Sequence, residues 1–199
     1  GVPQGAIRLN TDSQKLEFYA QDRWFEMATD ISSTATSSTR GLVAMDEQSA
    51  SAAIDYHSMT TAGNAVDFGD LLDTVGAGAF FSSATRAIRV GGVTSYPGTF
   101  TNRIDFVTIS TAGNAQEYGD LASTKRRGLM SGGNATRGIV AGGATPSFPA
   151  TSTTIDFVTI SNTGNTTSFG DLSSNSSLNG SSQIGSATRG IFGPIGSNS

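Results

Sequence analysis

Three segments of the chain, AAIDYHSM, NRIDFVTIS and TTIDFVTIS, place Ile54, Ile104 and Ile155 in register at separations of 50 and then 51 residues. Ten residues past each isoleucine the chain writes NAVDFGDL, NAQEYGDL and NTTSFGDL, which sets Asp70, Asp120 and Asp171 in matching places. The short runs SSTR, SATR, NATR and SATR then introduce RGLVAM, RAIRVGG, RGIVAGG and RGIFGPIG, headed by Arg40, Arg86, Arg137 and Arg189. A unit of about 50 residues holding several short strands has the period of a propeller blade.

Each unit reads strand by strand. The opening strand, such as RGIVAGG, ends on a glycine pair that lets the backbone turn or approach closely. After a variable loop comes the IDFVTI strand, whose apolar side chains fall on both faces, Ile155 and Phe157 on one and Val158 and Ile160 on the other. A strand buried on both faces fits a blade held between two neighbours. TAGN or NTGN follows, with the Gly and Asn that tight hairpins favour. A third strand ends at FGDL, and a fourth, such as GAFFSSAT or GLMSGGNAT, leads into the next arginine.

The first 31 residues differ. AIRLNTDSQKLEFYAQDRWFEMATDI reads as strand, turn, strand, two-residue turn, strand. KLEFYA nevertheless matches the TIDFVT pattern, and ATDI stands where FGDL would. The expected architecture is therefore all-β: a propeller of four-stranded repeats of about 50 residues, with spans 32–71, 72–121, 122–172 and a partial 173–199. Residues 1–31 either lend closing strands to the last of four blades, beside the strand from Gly190, or form a separate attachment element. A parallel β-helix is less consistent with the pattern, because hairpin turns imply antiparallel pairing.

Composition supports a folded chain and removes several function classes. Only 14% of residues are charged, net charge is −4, and apolar residues come in β-branched or aromatic bursts, unlike the scattered apolar residues and high charge of disorder. The acidity disfavours nucleic acid, since only KRR at 125–127 approaches a basic stripe. That tripeptide reads as a solvated strand edge. With no cysteine, disulfides and thiolate metal sites are excluded. No apolar run approaches the roughly 20 residues of a membrane span, and no signal peptide is visible. The chain opens at Gly1 rather than Met, which leaves processing and a longer parent protein both open.

Candidate chemistry is sparse. The four arginines recur with Asp55, Asp105 and Asp156 and with Asp70, Asp120 and Asp171. Recurrence once per unit suits a brace, with Arg satisfying turn carbonyls or an Asp and each Asp capping a turn. A ring of ligand-binding arginines is the alternative. The single histidine, His57, stands where the other units have Val107 and Val158, so packing is the simpler reading and no multi-His metal site is available. Glu17, Glu26, Glu47 and Glu117 fall singly, with no paired-carboxylate context. No catalytic residue, metal site or cofactor is assigned. Ligand recognition, if any, belongs to the unequal loops behind the opening strands, where Tyr96, Pro97, Phe100, Phe148 and Pro149 combine stiff backbone with flat apolar surface. The same aromatics could instead fold back over strand edges. Trp24 reads as hairpin packing.

The unit TRGIVAGG, IDFVTIS, TGN, FGDL resembles the Kelch-like repeats of structural and tail-associated proteins of tailed bacteriophages, especially cyanophages. GAIRLNTDSQKLEFYAQDRWFEM is similar to a short hairpin motif of phage fibre and other virion proteins. The resemblance implies a non-enzymatic viral structural protein on the virion surface, in a tail fibre, spike or capsid decoration. Its implied partners are other virion proteins and a host envelope glycan or protein, with homo-oligomerisation, no nucleic acid and no membrane insertion. Departures exist: Kelch blades usually carry a Trp and a Tyr each, whereas this chain has one Trp. Kelch oxidases of the galactose oxidase type use a cysteine-linked tyrosine and copper, and cysteine is absent. A cell-surface adhesion or appendage protein, and a propeller glycan lyase or hydrolase, stay open as alternatives.

Overall fold

The computed structural model describes residues 1–11, 15–27, 39–44, 50–95, 99–122, 126–147, 151–174, 182–185 and 188–193, with backbone alone at 15, 95 and 182–185. All regular structure among them is β-strand. The chain divides into two compact units, Gly1–Ser32 and Ser33–Ser199.

In the first unit β1 (Ile7–Asn10), β2 (Lys15–Ala20) and β3 (Arg23–Glu26) form one antiparallel sheet in that order. Gln21 and Asp22 connect β2 to β3 at φ of 49° and 59°, the two left-handed residues that a tight hairpin turn demands. Phe18 stacks on Phe25 at 5.4 Å, and Tyr19 meets Trp24 edge to face at 5.2 Å. The Arg8 guanidinium lies 4.1 Å over the Trp24 ring, so Trp24 is a packing residue of this hairpin. Glu17 is better placed than the sequence suggested: it accepts hydrogen bonds from Asn10 Nδ2 at 2.9 Å and Arg8 Nε at 2.7 Å. These bonds, with the Arg8 charge, hold its carboxyl below the ordinary carboxylate range. β2 has β1 on one edge and β3 on the other. The edge of Leu16–Ala20 expected to meet the strand from Gly190 is thus occupied within its own sheet.

The second unit is a series of small antiparallel sheets. Sheet I comprises β4 (Arg40–Ala44), β5 (Ser51–Ser58) and β6 (Val66–Val75). Sheet II is built from β7 (Ala79–Ser82), β8 (Arg86–Val90), β11 (Arg103–Thr108) and β12 (Gln116–Asp120), with a hairpin of β9 (Val93–Ser95) and β10 (Thr99–Phe100) inserted after β8. Sheet III contains β13 (Met130–Gly133), β14 (Arg137–Ala141), β15 (Thr154–Thr159) and β16 (Thr167–Asp171). A two-stranded sheet IV holds β17 (Ser182–Gly185) and β18 (Gly190–Gly193). The strand preceding each arginine belongs with the strand that follows: β7 pairs β8 and β13 pairs β14. It is therefore the first strand of a sheet, because the short SATR and NATR turns permit only that hairpin.

The faces of sheets II and III share one core of Phe81, Ile88, Ile104, Phe106, Val140, Val158 and Ile160 among others. Glycine at the second position of β14 makes room for it, since a Cβ on Gly138 would stand 1.9 Å from the Phe81 ring.

At one end of each sheet the contact is main chain to main chain. Gly113 N donates to Phe68 O at 2.7 Å and Ala115 N to Asp70 O at 2.7 Å, while Asp70 N donates to Asn114 Oδ1 at 3.1 Å. The same bonds recur one unit later: Gly164 N to Tyr118 O at 2.7 Å, Thr166 N to Asp120 O at 3.0 Å, Asp120 N to Asn165 Oδ1 at 3.0 Å. Thus the Gly-Asn turn of one sheet plugs into the FGD strand of the sheet before it. A Cβ on Gly69 would lie 2.5 Å from the Gly113 carbonyl, and one on Gly119 2.3 Å from Gly164 O.

Two measurements follow. Gly119→Ala should lower unfolding free energy by about 3–5 kcal/mol, combining backbone strain with overpacking. Gly170→Ala, at φ 149° with nothing within 4 Å of a Cβ, should cost only about 1–2 kcal/mol of strain; equal losses in chemical denaturation would refute the joint. Because the Glu17 pKa is depressed on folding, its stabilisation is present above the unfolded value and disappears as pH falls through the folded one. Acid titration of amide exchange in β1–β3 should show this loss, and Glu17→Gln should abolish it.

Candidate functional site

Two of the repeated arginines, Arg40 and Arg86, brace one sheet to the next. Arg40 opens sheet I, and its Nη1 donates to Ile109 O, just past β11 of sheet II, at 2.9 Å. Arg86 opens sheet II and donates to Ile160 O at 3.0 Å and Ser161 O at 2.9 Å, just past β15 of sheet III. Each guanidinium also lies over the aromatic ring of its own central strand: Arg40 over Tyr56 at 4.8 Å, Arg86 over Phe106 at 4.5 Å, Arg137 over Phe157 at 4.6 Å. A ring pressed beneath the cation raises the barrier to its swinging into solvent, and adds roughly 0.5–2 kcal/mol of attraction. Arg189 is exposed just before β18. Asp70 and Asp120 of the FGD turns join the next sheet through main chain, whereas the exposed Asp171 accepts from Thr153 Oγ1 through its carboxylate at 3.0 Å.

The aspartates that do meet arginines are Asp105 and Asp156, and their partners are Arg89 and Arg126. Arg126 overturns the reading of KRR as a solvated edge: it is 0% exposed and ion-paired with Asp156. A basic tripeptide between strands looks like surface, and only folding reveals the carboxylate awaiting it. Lys125 lies outside the described residues.

The two pairs occupy the same place by different routes. Arg89 Nη1 donates to Gly91 O at 2.9 Å and Arg103 O at 3.1 Å, and Nη2 to Asp105 Oδ2. Arg126 Nη1 donates to Gly142 O at 2.9 Å and Thr154 O at 2.8 Å, and Nη2 to Asp156 Oδ2. These acceptors are repeat equivalents. Arg89 reaches them from β8 inside its sheet, whereas Arg126 enters from the segment before β13. The position equivalent to Arg89 in sheet III is Val140, and the position equivalent to Arg126 one unit earlier is Val75; both valines are buried. One guanidinium and one valine have exchanged places between units. Burial raises the Asp105 pKa, opposed by the Arg89 charge, and lowers that of Arg126, opposed by Asp156. In sheet I the corresponding Asp55 is exposed.

The unequal loops are partly described. Phe100, on β10, is half-buried with the Arg127 guanidinium 5.4 Å over its ring, so this aromatic folds back onto the linker before sheet III. Tyr96, Pro97, Phe148 and Pro149 lie outside the described residues. His57 is half-buried and packs over Gly41, where an added Cβ would stand 2.8 Å from its ring. Glu117 is exposed, and Glu47 is outside the described residues. A cavity of about 530 Å³ between sheets I and II is lined by Leu42, Ile54, Phe81 and Val107, with Arg89 and Asp105 also at its wall. Among the described residues no group of three His, Cys, Asp or Glu is placed to hold a metal, and no helix is long and apolar enough to cross a membrane.

Arg89→Val should destabilise the chain by about 3–5 kcal/mol by stranding a buried Asp105 carboxylate. Val75→Arg/Arg89→Val, which imitates sheet III, should recover at least half of that loss in urea denaturation; no recovery would show that the two routes are not equivalent.

No family model matches the chain, and no curated protein matches it. Among solved structures, YjhT, a β-propeller-type protein, is similar to 80% of this chain with a TM-score of 0.52 and 10% sequence identity. The chain spans 59% of the length of YjhT. At that identity the likeness concerns fold alone: an all-β chain of small antiparallel sheets, similar to a β-propeller-type protein.

Proposed function

We propose that this chain is a non-enzymatic display module, a Kelch-like propeller carried on the surface of a tailed-phage particle, where its loops contact the host envelope. The observation that carries the scaffold reading is the fate of the recurring charged groups. Arg40, Arg86, Arg89 and Arg126 bind main-chain carbonyls or buried aspartates, so repetition serves assembly of the sheets. The connections behind the opening strands are unequal, 6 residues in sheet I (45–50) against 12 in sheet II (91–102) and 12 in sheet III (142–153), and sheet II carries the β9–β10 insertion there. A rigid scaffold with unequal loops is a common arrangement for recognition. The phage setting rests on the resemblance of the repeat and of the N-terminal hairpin pattern to virion proteins. In this reading the four sheets are blades, and residues 1–31 serve in attachment to other virion proteins, with homo-oligomers as the displayed form.

Mass spectrometry of gradient-purified particles should find the chain at a structural copy number, and the purified protein should be retained by host cells. Absence from particles would remove the virion reading. Release of oligosaccharides from host envelope polysaccharide would replace it with a glycan-degrading one.

A further inference from the structure

The glycine pairs that end two opening strands, Gly91-Gly92 after β8 and Gly142-Gly143 after β14, receive one shared segment. Residues 126–127, which lead towards β13, lie against both. Gly92 N donates to Arg126 O at 2.9 Å and Ala144 N to Arg127 O at 2.9 Å, while Arg127 N donates to Ala144 O at 3.1 Å. Contacts this close need bare backbone. A Cβ on Gly91 would stand 2.7 Å from Arg126 O, and one on Gly143 2.7 Å from Arg127 O.

Side chains of the same two residues repeat the connection. Arg126 Nη1 holds Gly142 O and Thr154 O, at either end of the sheet III loop, at 2.9 Å and 2.8 Å. The Arg127 guanidinium lies 5.4 Å over the Phe100 ring, on the returning limb of the sheet II loop. Each loop base is also closed on itself, since Thr101 N donates to Gly92 O at 3.0 Å and Ser152 N to Gly143 O at 2.9 Å. A disturbance of either limb is thereby carried to its glycine pair and on to residues 126–127. Gly91, Gly92, Gly143, Ala144 and Arg126 are buried, so water is a poor substitute for any partner lost.

We propose that residues 126–127 lock the bases of the two variable loops into one conformational unit, so that loosening one base loosens the other. In sheet II the base is 91–93 with 100–103, and in sheet III it is 142–144 with 151–154. The coupling runs through a continuous set of hydrogen bonds and one contact of a cation with a ring. It is reciprocal, because a coupling free energy has no direction. Whatever either loop recognises, the pair is presented as a single bipartite surface. This goes beyond the display reading and does not depend on it.

Amide exchange in the full chain tests the coupling, with one mild change in each loop base. Phe100→Leu removes the ring beneath Arg127 and should speed exchange of the Ala144 amide, in the other loop base, about three- to tenfold. Ser152→Ala removes the hydroxyl that accepts from Thr154 N at 3.1 Å, and should speed the Gly92 amide about two- to fivefold. Amides of β15 and β16 should keep their wild-type rates in both variants. In an Arg127→Gln background, where the cation is already gone, Phe100→Leu should speed Ala144 no further. An Ala144 rate indifferent to Phe100→Leu, or a Gly92 rate indifferent to Ser152→Ala, would overturn the proposal. So would the same acceleration of Ala144 with and without Arg127, or an acceleration shared equally by β15 and β16.

Discussion

Glycine packed on glycine between successive sheets is the contact from which the rest of the second unit follows. Where the FGD strand of one sheet meets the Gly-Asn turn of the next, main-chain donors and acceptors on both sides must come within hydrogen-bond distance. A side chain at Gly69 or Gly119 would hold the two apart. Once the approach is made, Phe68 and Tyr118 are covered, the central strand β11 is buried on both faces, and Arg40 and Arg86 come within reach of carbonyls in the neighbouring sheet. Stability in such an array is a sum of sheets and of the joints between neighbours.

The buried ion pairs have a different role. Removing a guanidinium and a carboxylate from water costs several kcal/mol per ion, and attraction offsets this only with good geometry and further hydrogen bonds. Each guanidinium also serves two carbonyls, one just after the opening strand, Gly91 or Gly142, and one at the start of the central strand, Arg103 or Thr154. Those carbonyls stand at the two ends of the variable loop, so the guanidinium ties the base of the loop together. Arg89 and Arg126 deliver the same group to equivalent acceptors, one from within an opening strand and the other from the segment before β13.

Several elements were legible in the chain alone. The register of Ile54, Ile104 and Ile155, the Gly-Asn turns and the double-sided apolar strands specify antiparallel sheets of common design, since period-2 patterning and turn chemistry act over a few residues. Arg40 and Arg86, at the heads of two opening strands, were recognisable as braces by recurrence. Arg89 carried a signal that went unused: a charge inside an apolar strand whose sister strand has Val140 there. Comparing units position by position would have linked it to Arg126 and Val75. The KRR run misled because burial of a cation depends on a carboxylate 30 residues away, Asp156.

The sequence by itself determined the unit length, the strand types, the turns and the absence of thiol chemistry, because each depends on local pattern or composition. Tertiary structure alone decided which main-chain groups of one unit bond those of the next, and which arginine answers each buried aspartate. It also decided that Phe100 lies beneath Arg127. These outcomes depend on distances between residues far apart in the chain.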